Sequence, residues 1–165
     1  MNKLDAFVQK LNSLMPRDIE EELEMIFKKI YYPPQKVEGV FTERGDLLLD
    51  FISNYDVDDF DIAGVHLLNS EDLEENDDYI CFGSNEGDYL VLSKKDGSVN
   101  IVDHESFMSC KCASSSERFL SNLLRIDEAN LNYEITDDEK ESIVNQIIEY
   151  EESRPFYLTL IGYNL

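Results

Sequence analysis

The apolar positions of this chain change period along its length. Leu4, Phe7, Val8, Leu11 and Leu14 recur at helical spacing and predict an amphipathic helix. Met15-Pro16 interrupts it, and Pro16 suits the first turn of a second helix with Ile19, Leu23, Ile26, Phe27 and Ile30 on one face. Early acids (Asp18, Glu20, Glu21, Glu22) and late lysines (Lys28, Lys29) complement its dipole, and Tyr31-Tyr32-Pro33-Pro34 ends it. The mostly apolar run Asp46–Ile52 then predicts a strand, Ile62–Leu68 a second strand, and Ser70–Glu75 a short acidic helical turn.

The clearest β pattern follows. Tyr79–Phe82 and Tyr89–Leu92 are apolar runs around the turn-rich Gly83–Gly87, and Asp96-Gly97 marks a tight turn. Val99 and Ile101 alternate with polar residues up to Asp103, which predicts an antiparallel meander. Ser114-x-x-Glu117 is a helix-start signature, followed by Phe119, Leu120, Leu123 and Leu124 on one face. Thr136-x-x-Glu139 opens a last helix with Ile143, Val144, Ile147 and Ile148, and Phe156–Ile161 after Pro155 predicts a final strand. The order predicts one α+β domain over residues 1–165, a single mainly antiparallel sheet flanked by helices, with 126–165 as a helix-plus-strand extension.

Charge sharpens this picture. The 165 residues carry 14 Lys plus Arg against 36 Asp plus Glu, a net charge of −22. Such a field repels phosphate backbones and anionic bilayers, which argues against direct nucleic-acid or membrane binding. With 42% hydrophobic residues, the chain is not a disordered acidic tail. The excess is segregated: residues 46–80 hold 12 acids and no base, residues 126–165 are net −8, and the other segments are nearly neutral. No apolar run has the length of a signal peptide or of a span of about 20 residues, so a cytoplasmic protein is expected.

Candidate chemistry is sparse. Cys81, Cys110 and Cys112 form no disulfide framework, and with His104 they lack zinc-site spacing, so reduced thiols and no metal are expected. His66 and His104 are the only histidines. No G-x-S-x-G elbow accompanies them, and the side chains of Asp103-His104-Glu105 alternate faces on a strand. Gly83–Asp88 lacks the G-K-[ST] ending of a phosphate loop and carries Glu86 and Asp88. A calcium loop counted from Asp56 puts Asp61 where glycine is required and Leu67 where a bidentate glutamate is required. No enzyme activity and no cofactor are expected.

The acidic block then stands out as a contact surface for a basic protein. Its acids are interleaved with Tyr55, Phe60 and Tyr79, and aromatics among like charges suit such a role. The partner-binding candidates are Asp56, Asp58, Asp59, Phe60, Asp61, Glu74, Glu75, Asp77 and Asp78. A field of this kind steers association more than it adds affinity.

The stretch from Tyr79 to Leu124 resembles the SUKH superfamily, which includes fungal cell-wall synthesis regulators and many bacterial immunity proteins. The residues that carry the resemblance are Tyr79-Ile80-Cys81-Phe82-Gly83, Gly87-Asp88-Tyr89-Leu90-Val91-Leu92, the Asp96-Gly97 turn, Val99 with Ile101, Asp103-His104-Glu105, and Ser116 with Phe119 and Leu120. Met15-Pro16-Arg17-Asp18 with Leu23 resembles the family's upstream helix start. A tryptophan common near the family's second hairpin strand has no counterpart, since the chain has none. The resemblance implies an α+β fold and a binding protein without catalysis. It further implies an immunity protein that neutralises a cognate toxin, often a nuclease, of a polymorphic toxin system, or alternatively an intracellular regulatory module related to the cell-wall synthesis regulators.

Overall fold

A computed structural model describes residues 2–14, 34–58 and 60–163. Helix α1 (Lys3–Ser13) matches its apolar stripe. Asn2 caps it by accepting the Asp5 N–H at 2.8 Å, and Phe7, Leu11 and Leu14 are buried. The helix expected over Pro16–Ile30 lies outside the described residues.

The expected strand at Asp46–Ile52 is instead helix α2 (Leu47–Asn54). A short apolar run has no period that separates a strand from a buried helix, and here the cap decides. The Asp46 carboxylate accepts the N–H groups of Leu48 and Leu49 at 3.0 and 3.1 Å, satisfying two donors that a helix start leaves free. Leu48, Leu49, Phe51 and Ile52 are then all buried. At the other end, Asn54 Nδ2 donates to Asp50 O and Thr42 O, tying the preceding loop to the helix.

Seven strands form one antiparallel sheet. They are β1 (Asp61–Ile62), β2 (Val65–Leu67), β3 (Glu74–Glu75), β4 (Tyr79–Asn85), β5 (Asp88–Ser93), β6 (Val99–Val102) and β7 (Ser109–Ala113). The order is β1-β2-β4-β5-β6-β7, and β3 pairs with the first half of β4 while β2 pairs with its second half. The expected strand at Ile62–Leu68 is broken by a two-residue turn, Ala63 (φ 51°) and Gly64 (φ 78°). Of the expected helical turn at Ser70–Glu75, only Ser70–Asp72 is a 3-10 turn, and Glu74–Glu75 is strand β3. β4 runs past Gly83 to Asn85, so the expected loop shrinks to Glu86-Gly87, both at positive φ as a two-residue hairpin requires. Strand β7, SCKCA, has no aromatic or β-branched residue and so gave no strand signal.

Gly83 sits at a register shift in β4, where the β2 backbone lies very close: a Cβ there would stand 2.3 Å from the His66 carbonyl oxygen. Glycine is required at this point by close approach, not by a left-handed turn.

Helix α3 (Ser116–Asn130) starts one residue later than the Ser114-x-x-Glu117 signature implies. Ser115 is the cap, and Ser114 bonds Glu149 instead. Helix α4 (Asp137–Ile147) begins with the expected reciprocal pairing of Thr136 and Glu139. The expected strand Phe156–Ile161 is helix α5 (Arg154–Leu160), with Pro155 in its first turn and Phe156, Tyr157, Leu158 and Leu160 buried. Tyr157 explains its docking: the ring is fully buried, its hydroxyl donates to Cys112 O at 3.0 Å, and it accepts from Asn122 Nδ2 at 3.1 Å.

The helices and one face of the sheet share a single core. It includes Phe51, Ile80, Phe82, Leu90, Leu92 and Phe119, and residues of the C-terminal region such as Val144, Phe156 and Tyr157. Residues 149–153 also close the β7 edge: Glu152 accepts the Lys111 N–H at 3.0 Å and Glu149 the Ser114 N–H at 2.9 Å. Carboxylates thus satisfy donors that an open edge would leave unpaired. The alternate positions of the central strands, Tyr79, Cys81, Tyr89, Val91 and Val102, stand outside the core cluster and form the second face of the sheet.

Candidate functional site

The eight described candidate residues divide into two groups along one edge of the sheet, because β1 and β3 both border it. Asp56 and Asp58 are exposed on the connection after α2, where the Asp56 carboxylate accepts the Asp58 N–H at 3.1 Å. Asp61 is exposed on β1 beside His66, Oδ1 to Nδ1 2.9 Å. Asp59 lies outside the described residues. Glu74 and Glu75 are exposed on β3, and Asp77 and Asp78 on the turn into β4. Asn76 shapes that turn by accepting the N–H groups of Asp78 and Tyr79. His66 pairs with Ser84 and Glu74 with Cys81, so the two groups attach to β4 three residues apart, roughly 10 Å at the rise of a strand.

Two expectations about this block are corrected. Phe60 is not a contact aromatic: it is 5% exposed and packs edge-on against Phe51, ring centroids 6.1 Å apart. Tyr55 is half-buried against the same ring. The block is also not wholly without compensating bases. Lys94 reaches Glu75 at 2.7 Å and Arg44 reaches it at 3.7 Å, and the Lys94 contact holds the Glu75 carboxyl below the usual carboxylate range.

Of the three aromatics, Tyr79 is exposed as expected, 42%, and it belongs to a larger apolar surface. On the face of the sheet that no described helix covers, Tyr79, Cys81, Val91, Val102 and Phe107 line a groove of about 470 Å³, with Glu74 and Glu75 at its margin. Tyr89, 46% exposed, stands on the same face, and Phe107 and Met108 are 74% and 73% exposed in the β6–β7 connection. Phe107 adopts φ 56°, which is costly for a bulky residue. The loop imposes it: Asp103 Oδ1 accepts from Glu105 N, Ser106 N and Ser106 Oγ, while Phe107 N donates to Asp103 O and Asp103 N to Met108 O. Five hydrogen bonds of the loop thus hold Phe107 in a strained, solvent-exposed conformation. Tyr89 lay within the apolar run Tyr89–Leu92, which does not say which residues face out, and Phe107 carries no signal beyond being apolar in a polar loop.

The cysteines and histidines are otherwise engaged. Burial raises the thiols of Cys81, Cys110 and Cys112, so they are protonated at neutral pH. His104 bonds Asp88, Nδ1 to Oδ1 2.6 Å, which raises the imidazole above its ordinary pKa. The two His–Asp pairs belong to separate hairpins. Among the described residues no group of three or more His, Cys, Asp and Glu is placed to hold a metal, and no helix is long and apolar enough to cross a membrane.

Compared with family models, curated proteins and solved structures, the chain matches none.

Proposed function

We propose that this chain is a non-catalytic protein-binding domain that neutralises a basic toxin domain, as an immunity protein of a polymorphic toxin system. The observation that carries the proposal is the sheet face that no described helix covers: Tyr79 and Phe107 line its groove with Glu74 and Glu75, and Tyr89 stands exposed on the same face. Aromatic anchors with an acidic rim fit a basic protein surface, the apolar centre supplying affinity and the charges the encounter rate. The order of motifs resembling the SUKH superfamily supports the immunity role. A nuclease is the favoured toxin, because its basic groove is complementary to a chain of net charge −22.

The test is co-expression with the toxin-like domain encoded beside this chain, scored by growth rescue and by recovery of a complex. Rescue is expected, with an association rate that falls steeply between low and physiological salt. Phe107→Ala is expected to weaken the complex by at least about 2 kcal/mol, as loss of an anchor does, with the fold intact. Absence of both rescue and complex refutes the proposal. A pull-down that returns envelope-synthesis proteins instead assigns the chain to the regulatory branch.

A further inference from the structure

A second concave site lies on the far end of β4, away from the groove. The two-residue turns Ala63-Gly64 and Glu86-Gly87 meet the last turns of α3 and α5 around a cleft of about 290 Å³. At its base is Asp127, a carboxylate in a place the sequence offers no reason to charge. It is 5% exposed, and its Oδ1 accepts the Ala63 N–H at 2.8 Å. Its Oδ2 accepts no hydrogen bond among the described residues, yet it is not sealed away from solvent, and Asp127 lines the cleft.

The other polar walls have the same bias. Asn85 donates one amide N–H to Gly64 O at 2.9 Å and Asn130 donates one to Leu160 O at 3.1 Å, so each amide keeps its oxygen and a second N–H. The Thr159 hydroxyl donates to Pro155 O at 3.0 Å. Acceptors dominate what remains for a guest: Asp127 Oδ2, the two amide oxygens, and the carboxylates of Asp61 and Glu86 at the rim, beside one N–H on each amide. Among the described residues no lysine or arginine lines the cleft. Three carboxylates without a lining base favour a guest that brings donors and positive charge. A guanidinium, with five N–H donors in a planar fork and no acceptor, has that chemistry.

We propose that this cleft is a guanidinium-binding site, with Asp127 as the anchoring carboxylate and Asn85 and Asn130 as neutral acceptors. The source is an arginine side chain of a protein or a small free guanidine. The charged groups around Asp127 are Asp61 on β1, itself bonded to His66, and Glu86 on the β4–β5 turn. The site is independent of the sheet-face groove, so it stands or falls apart from the immunity proposal.

The experiment titrates the isolated protein with N-acetyl-arginine amide and, separately, with agmatine, following the Asn85 and Asn130 side-chain amides and the Asp127 carboxyl by NMR. Urea, the neutral isostere, is the control. Saturable shifts confined to these residues are expected with the guanidinium probes and not with urea. Asp127→Asn keeps an acceptor for Ala63 N–H, so it folds, and it is expected to weaken binding at least about tenfold. Binding is also expected to fall about tenfold per pH unit once Asp127 is protonated. Preference for the capped arginine assigns the site to a protein side chain, and preference for agmatine to a free guanidine. Equal shifts with urea, no shifts with either guanidine, or unchanged affinity in Asp127→Asn overturns the proposal.

Discussion

Replacing Gly83 with alanine tests the account of the sheet at its tightest point. The new Cβ would lie 2.3 Å from the His66 carbonyl oxygen, whereas a carbon rests roughly 3.3 Å or more from such an oxygen. Both atoms belong to backbone, so no side-chain rotation relieves the clash. β2 must retreat from β4 by about 1 Å. That retreat stretches the Leu68 N–H to Phe82 O bond, now 2.9 Å, and shifts Val65 and Leu67, which are 0% and 1% exposed. Overpacking costs about 1–3 kcal/mol and each weakened backbone bond about 1, against a gain of about 0.5 from a stiffer unfolded chain. The net expectation is a loss of about 3 kcal/mol, hence a Tm lower by about 6–12 °C and a urea midpoint lower by about 1.5 M at unchanged slope. The assay is urea and thermal unfolding followed by far-UV circular dichroism. Gly97→Ala is the companion: Gly97 has φ 72° but nothing within 4 Å of its would-be Cβ, so only the left-handed penalty of about 1–2 kcal/mol applies. If Gly83→Ala costs no more than Gly97→Ala, the close β2–β4 approach is not what demands glycine.

Other outcomes follow from named groups. Burial raises Asp127 from an ordinary 3.8 to about 6, so its contribution to stability is present below pH 3.8 and lost as pH rises through 6. Asp127→Asn is therefore expected to stabilise the protein at pH 7 by up to roughly 3 kcal/mol and to have little effect near pH 4, measured by urea unfolding at both pH values. Asp46→Ala removes the α2 cap and the acceptor of the Ser116 hydroxyl, 2.7 Å away, and should cost about 2 kcal/mol in the same assay. In native protein the 0%-exposed Cys112 should resist a thiol reagent until denaturant is added, and prompt labelling would contradict its burial. The His104 ring should titrate above 6.5 by NMR and return toward that value in Asp88→Asn, because the Asp88 hydrogen bond is the leading cause of its shift.

Sequence alone determined the elements whose signal is local. The α1 stripe, the Thr136–Glu139 start of α4, and the β4–β5–β6 meander each follow from side-chain period or capping chemistry within a few residues. The net charge and its segregation also needed no structure. What required tertiary structure was anything decided by partners distant in sequence. The runs Asp46–Ile52 and Phe156–Ile161 are mostly apolar. The first is capped locally by Asp46, a signal its apolar run conceals, whereas the second is docked by the Tyr157 bonds to Asn122 and Cys112, 35 and 45 residues away. β7 pairs because β6 offers an edge, not because Ser-Cys-Lys-Cys-Ala prefers to be extended. The acidic block kept its exposed carboxylates but lost Phe60 to the core and gained Lys94 and Arg44 as neighbours of Glu75. The exposure of Tyr89 and Phe107 and the burial of Asp127 emerged only from the fold. Exposure and desolvation are set by what packs against a residue, and a linear pattern records only what stands next to it.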